Sequence, residues 1–423
     1  MNFIIKGNLC YSKTPQMLAT LKDGYLVCEN GISKGAFSEV PEKYSAFPVT
    51  DYGNSIIIPG LIDLHVHAPQ YAFRGLGMDL ELLDWLYMYA FPEESKYADL
   101  YYAEKAYDYF VDALKRSATT RASVFATIHT SATTLLMEKL EQSGLVTLVG
   151  KVNMDRNSPE MLCEVSASKS IEDTRAWIQD AGRFKNTSPI ITPRFIPTCT
   201  DEVMHGLKKL QKEYELPVQS HLSENQAEIT WVKELCPESN SYGGAYDSFG
   251  LFGGEDTPTI MAHCVWTKGA EENLMRDNGV YVAHCPQSNT NLASGIAPIR
   301  RFLEKGIRIG LGSDVAGGCH SSIFRAMSDA VQVSKLYWRL VDQNDAHLTL
   351  PEAFYLGTAL GGSFFGKVGS FDAGYEFDAV VINDDNIITP NDLTIEDRLA
   401  RIIYLSDDSN IRDKYVRGSK IIL

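Results

Sequence analysis

The stretch Pro59-Gly-Leu-Ile-Asp-Leu-His65-Val-His67-Ala-Pro-Gln70 carries the first chemistry legible in this sequence. Its Ile and Leu content reads as a buried β-strand, and Pro69 stops it. Side chains at i and i+2 of a strand share one side. His65 and His67 therefore aim at one point where the strand runs out. Two imidazoles fixed in this way make half of a zinc-type ligand set. An accidental pair is the plain alternative with 9 histidines in 423 residues, so the rest of the chain has to decide.

Later apolar runs close on polar residues in the same manner. His129, His221, His263 and His284 end four of them, Arg194 ends another, and Ile-Gly-Leu-Gly-Ser-Asp314 ends in an acid. Histidines that merely filled a core would not be expected to gather at strand ends. His65, His67, His221 and Asp314 supply a small shell of borderline ligands with room for one open position. Glu224 lies three residues after His221, about one helical turn on, beside that shell but outside it. A divalent metal lowers the pKa of bound water to about 7. A carboxylate at the place of Glu224 takes that proton and returns it, and His263 is placed to hydrogen-bond the water. The bland alternatives are a helix-start carboxylate for Glu224, a turn cap for Asp314, and simple packing for His129 and His284. Cys264 and Cys285 follow two of these histidines; strand alternation turns both toward the helices, as core residues.

The elements that must position these residues alternate along the middle of the chain. Strands are expected at 59–67, 120–128, 145–153, 190–196, 217–221, 259–263, 280–284 and 307–312. Amphipathic helices fall between them, at 98–116, 133–142, 171–184, 202–214, 225–235 and 269–278, with a long one at 321–340. Eight such units predict an α/β fold closed as a (β/α)8 TIM-type barrel, with its active site at the C-terminal strand ends. No G-x-G-x-x-G follows an early strand, which disfavours an open dinucleotide-binding sheet. Residues 1–57 and 371–423 read as short β pieces, 402–405 among them, and predict a small β-sandwich built from both termini. The catalytic barrel domain is then 58–370. The segment 236–258, rich in Gly, Ser and Tyr, reads as a long covering loop.

Composition narrows the class. A net charge of −15 argues against a nucleic-acid polymer or an anionic membrane surface as partner. No apolar run is long enough to cross a bilayer, and the first residues show no secretory pattern. The 8 cysteines are scattered, with no C-x-x-C. Reduced, buried thiols in a cytoplasmic protein are the expectation.

Taken together these residues resemble the amidohydrolase superfamily, in its one-metal deaminase branch, and within it the guanine deaminases. The resemblance is carried by Pro59–Tyr71, Leu83-Asp-Trp-Leu86, Phe91-Pro-Glu-Glu-Ser-Lys96, Phe125-Ala-Thr-Ile-His-Thr130 and Val149-Gly-Lys-Val-Asn-Met-Asp155. It continues through Thr192-Pro-Arg-Phe195, Gln219-Ser-His-Leu-Ser-Glu-Asn225, Met261-Ala-His-Cys264, Ala283-His-Cys-Pro-Gln-Ser-Asn289, Gly310–Gly318 and Tyr404-Leu-Ser-Asp-Asp-Ser-Asn410. It implies hydrolysis of guanine to xanthine and ammonia, with one zinc ion (iron the alternative) on His65, His67, His221 and Asp314. It implies Glu224 as proton shuttle assisted by His263 and Asp314, and Gln70, Arg194, Phe195, Trp85 and His263 around the purine. A homodimer is implied as well. Ser313, where a Thr is common, departs slightly from the pattern.

Three other readings remain open to test. A two-metal cyclic amidase would place a modified lysine at the end of strand four, where this chain has Arg194. A deaminase of another ring, such as a pyrimidine, a triazine or an adenosyl compound, would keep the metal set. A non-catalytic scaffold would be expected to have lost Glu224 or a ligand.

Overall fold

A computed structural model describes the whole chain, residues 1–423. Its centre is a set of parallel strands with helices between them. Leu61–His67 pairs with Thr119–Phe125, that strand with Val146–Gly150, and that one with Thr187–Pro189. Val152–Asn153 takes Thr192–Pro193, and Ile191 bridges to Val218. A second parallel sheet runs through Val218–Leu222, Thr259–His263, Tyr281–His284 and Arg308–Leu311. Beyond its last strand the Asp314 N–H donates to His65 O at 2.8 Å, and the His67 N–H donates to Val315 O at 3.2 Å. The end of the last strand therefore lies against the end of the first.

Strands covered on both faces are buried along their length and mostly apolar, with Asp63, Arg121, Ser123 and Gln219 among the buried polar exceptions. Ile62, Leu64, Ile190, Ile260, Ala262, Tyr281 and Ala283 form an inner cluster. A much larger cluster fills the space between strands and helices. The helix Leu100–Arg116 shows why such segments are helical. Its buried residues Ala103, Ala106, Tyr107, Phe110 and Leu114 recur at three- and four-residue steps, and the Asp99 side chain caps its start by accepting from Tyr101 N.

One irregularity sets the site. Ile62 and Leu64 face the inner cluster, and strict alternation would turn His65 and His67 away from it. The register of Leu61–His67 against Thr119–Phe125 shifts between Asp63 and Val66. That shift reverses the parity, so both histidines face inward where the strand ends.

The termini form one seven-stranded sheet, in the order Ser419–Ile421, Ile411–Val416, Ala379–Ile382, Val49–Pro59, Asn2–Thr14, Met17–Glu29, Ile32–Phe37. It bends over itself: Phe3 stacks on Tyr415 with ring centroids 5.4 Å apart and meets Phe377 edge-on at 5.2 Å. This sheet is tied to the middle by Arg121, whose Nε donates to Asp378 Oδ2 at 2.7 Å. Lys414 adds a second tie, donating to the carbonyls of Ser117 and Thr119.

Three expectations need correction. Residues 402–405 are not β-structure; they end the helix Ile395–Leu405, which opens on a Thr394–Asp397 capping box and buries Leu399, Ile402 and Ile403. A four-residue apolar run cannot by itself distinguish strand from helix. Segment 236–258 contains the helix Tyr242–Ser248, capped by the Ser241 side chain. Cys285 packs in the inner cluster, not toward the helices as Cys264 does; on its strand Tyr281 and Ala283 already face in, and Cys285 keeps their parity. No helix is long and apolar enough to cross a membrane.

Candidate active site

Four imidazoles and two carboxylates converge at the strand ends. His67 Nε2 lies 3.2 Å from both His65 Nε2 and His221 Nε2. Asp314 Oδ1 lies 3.1 Å from His65 Nε2 and 3.6 Å from His67 Nε2. All are buried, apart from the partly exposed rim of His221. Burial holds His65, His67 and His221 well below the ordinary histidine range, helped by neighbouring positive charge. These imidazoles are therefore neutral at pH 7. His221 Nδ1 donates to the Arg194 carbonyl at 2.7 Å, which leaves its Nε2 lone pair aimed at the others.

Lone pairs and a carboxylate pressed together in this way repel one another. A borderline divalent cation resolves the crowding. Ligand bonds of about 2.0–2.1 Å in a tetrahedral shell put donors about 3.3 Å apart, close to the observed spacing. His65, His67 and Asp314 form one group with metal-ligand spacing, and His65, His221 and His263 form another. The residues fit a metal.

Around this cluster sits a pocket that opens to solvent. Its walls include Leu82, Trp85, Leu86, Phe195 and Leu292, and its polar lining includes Gln70, Arg194, Glu224, Glu228 and His263. His263 Nε2 stands 3.3 Å from Glu224 Oε2 and 3.8 Å from Asp314 Oδ2. His263 Nδ1 donates to Asn289 Oδ1 at 2.9 Å, so its Nε2 faces Glu224 as an acceptor. The other Glu224 oxygen accepts from Ser294 Oγ at 3.1 Å. Burial, with the charge of Asp314 behind it, pushes the Glu224 carboxyl above the ordinary carboxylate range.

The backbone here is forced into unusual shapes. Ser223, His263, Cys264 and Asp314 have φ of 48°, 73°, 53° and 46°. Left-handed non-glycine residues at three of the strand ends mark a site whose side chains are aimed at some cost in strain.

The structure brings together His65, His67, His221, Asp314, Glu224, His263, Gln70, Arg194, Phe195 and Trp85. It leaves two strand-end histidines out. His129 lies beyond its strand, which stops at Phe125, and precedes the helix Thr130–Ser143. His284 is buried with neither ring nitrogen bonded to protein and does not join the converging groups.

Several residues of the site were not singled out from the sequence. Asp63 accepts from the N–H groups of His65 and Ser313 at 3.1 and 3.0 Å and from Ser313 Oγ at 2.5 Å. It thereby clamps the His65 and Asp314 strand ends together, and Ser313 serves as its hydroxyl donor. Tyr246, from the helix inside 236–258, bonds Ser220 Oγ at 2.7 Å and donates to His221 O at 3.0 Å. Glu94 accepts from Arg194 and Gln70. The Phe-Pro-Glu-Glu-Ser-Lys motif was the sequence signal for Glu94. Asp63 sits inside an apolar strand, where a buried acid is itself a signal. Tyr246 had none.

A profile of the amidohydrolase family matches residues 56–421. Guanine deaminase of Dictyostelium discoideum is 41% identical over 410 residues, covering 95% of this chain and 88% of that protein. Guanine deaminase of Homo sapiens is 37% identical over 384 residues, covering 87% and 83%. A solved guanine deaminase from C. acetobutylicum, with guanine bound in its active site, superposes with a TM-score of 0.97 at 48% identity, covering 100% of both chains.

Proposed function

The chain belongs to the amidohydrolase family and is a hydrolase of C–N bonds, and on that footing we propose that it converts guanine and water to xanthine and ammonia with one zinc ion. The observation that carries the reading is one pocket lined by His67, His221, Asp314, Glu224, Arg194 and Gln70, with His65 beside them at metal-ligand spacing. The names and the bound guanine of the relatives agree with it.

His65, His67, His221 and Asp314 would hold the metal, and nitrogen donors with one carboxylate suit zinc. When bound, such an ion polarises water and makes it acidic near neutral pH. The remaining work belongs to the protein. Glu224 stands between the cluster and the pocket, within reach of His263. It takes a proton on one side and gives it to a ring nitrogen on the other. His263, held by Asn289, packs against the Glu224 carboxyl and keeps it in place. Asp314 completes the charge balance of the cluster.

The ring is held edge-on by Arg194 and Gln70. A planar guanidinium and an amide match a neutral purine edge with several donors and acceptors. Phe195 and Trp85 with Leu82, Leu86 and Leu292 enclose its faces and keep bulk water out. His263 closes the metal side.

We read the parallel strands as a closed (β/α)8 barrel spanning 58–370, supported by the contacts that return from Asp314 to His65. Residues 1–57 and 371–423 then make the second, β-sandwich-like domain, supported by the sheet's fold over its own aromatic residues. Eight unpaired cysteines fit a reducing, cytoplasmic setting. A homodimer is the expected working form, supported by the resemblance.

Ammonia release from guanine, adenine, cytosine, isocytosine and ammeline on zinc-loaded protein tests the reading. Release from guanine alone is expected. Release from another ring, with guanine inert, would overturn the substrate while leaving the metal site standing.

A further inference from the structure

The two residues that face the ring edge are not independent. Glu94, 1% exposed, lies behind both of them. Its Oε2 accepts from Arg194 Nη1 at 2.5 Å and its Oε1 from Arg194 Nη2 at 3.0 Å. The same Oε1 accepts from Gln70 Nε2 at 2.8 Å. Gln70 Oε1 in turn accepts from Ala316 N at 3.1 Å. The amide of Gln70 is thus bonded at both ends and cannot invert. Phe91, on the same short helix Phe91–Ser95, lies with its ring centroid 5.1 Å from the Arg194 guanidinium. Arg194 and Gln70 are themselves 3% and 2% exposed.

We propose that Glu94 is a positioning residue that makes the pocket select an uncharged ring. It fixes Arg194 and Gln70 as one plate of donors and acceptors, and it cancels the charge of Arg194. A guanidinium that has lost its own carboxylate partner in a buried pocket attracts anions more strongly. Paired fork to fork with a carboxylate, it keeps free N–H groups for a purine edge but offers no net cation. A neutral purine keeps its hydrogen bonds in this arrangement, while an anionic purine gains little. The diketo product is a stronger acid than guanine, so a neutral plate also favours its departure. The inference rests on the guanine reading and deepens it.

The test compares wild type, Glu94→Gln and Glu94→Asp, all zinc-loaded, at pH 7. It measures KM and kcat for guanine and the inhibition constant of urate, a purine that is an anion at that pH. In Glu94→Gln the guanine KM rises about tenfold with a smaller change in kcat, while urate binds about tenfold tighter, because a buried charge is left uncompensated. Glu94→Asp, which keeps the charge, keeps urate weak. Equal weakening of guanine and urate in Glu94→Gln, the behaviour of a merely structural residue, would overturn the inference, as would unchanged constants. If Glu94→Gln does not fold, the double variant Glu94→Gln with Arg194→Gln carries the test. It has no charge to cancel and must bind urate no tighter than wild type; tighter binding overturns the inference. Wild-type protein that does not turn over guanine overturns the substrate reading and the inference with it. Wild-type turnover with parallel shifts overturns the inference alone.

Discussion

At the residue scale, the account turns on which groups are charged and which hold protons. His221 is the clearest case, since its Nδ1 bond to the Arg194 carbonyl fixes the tautomer. Arg194 therefore orients a histidine of the cluster with its backbone and lines the pocket with its side chain. Glu224 has a different task, set by its contacts with His263 and Ser294. Glu224→Gln keeps the shape but removes proton exchange. Turnover is expected to fall by about 10²–10⁴, the usual weight of a general acid–base group, with zinc content and thermal stability little changed. Steady-state rates beside metal analysis check this. Asp63→Asn weakens the bonds that the His65 and Ser313 N–H groups donate to it, and zinc affinity is expected to drop about 10–100-fold, as for other groups that orient ligands. Titration against a chromogenic chelator reads that loss.

At the element scale, the strand ends and the segments that cover them do the positioning. The His-x-His pair, the histidines at 221 and 263, and the acid at 314 were legible because each ends an apolar run, and a run's end is visible in sequence. The parity shift between Asp63 and Val66 was not, since a change of register depends on the neighbouring strand. The helix Tyr242–Ser248 was hidden because its Gly-Gly and Ser residues read as loop, whereas packing against the large core holds it as helix. The C-terminal run 402–405 misled for the opposite reason, its apolar residues belonging to one face of a helix. The wall and the clamp of the pocket come from one continuous helical stretch, Leu82–Trp85, Leu86–Ala90 and Phe91–Ser95. Its middle part is a π-helical turn, a feature common at functional sites. Tyr246→Phe removes the hydroxyl that bonds Ser220 and His221. It should cost about 1 kcal/mol in urea unfolding, with a measurable loss of zinc affinity.

At the scale of the whole molecule, the terminal sheet and the central strands are joined by buried charge. Arg121, 1% exposed, pairs with Asp378, which is fully buried, and with Glu376. Arg121→Met would leave Asp378 without its cation and is expected to cost about 3–5 kcal/mol. Adding Asp378→Asn should recover part of it, which a double-mutant cycle in urea measures. The ion pair between Arg300 and Glu352, on two helices of the middle of the chain, has a pH signature. Burial raises Glu352, but Arg300 and Thr349 bring it down further, to about 2 from an ordinary 4.5. The folded state thus gives up this proton more readily than the unfolded chain. Its stabilisation is complete above about pH 4.5 and is lost as pH falls toward 2. Metal-free protein should show a fall in unfolding free energy across that window, and Glu352→Gln should flatten it. Chelation at pH 7 should lower the thermal midpoint, and added zinc should restore it, because the cluster closes only in the folded chain.

The decisive measurement is the paired yield of xanthine and ammonia from guanine, followed while zinc is titrated into metal-free protein. The account predicts equal yields of the two products, activity that rises with zinc and saturates at one ion per chain, and none from Glu224→Gln carrying the same zinc. Full activity in the metal-free protein, or undiminished activity in Glu224→Gln, would contradict it.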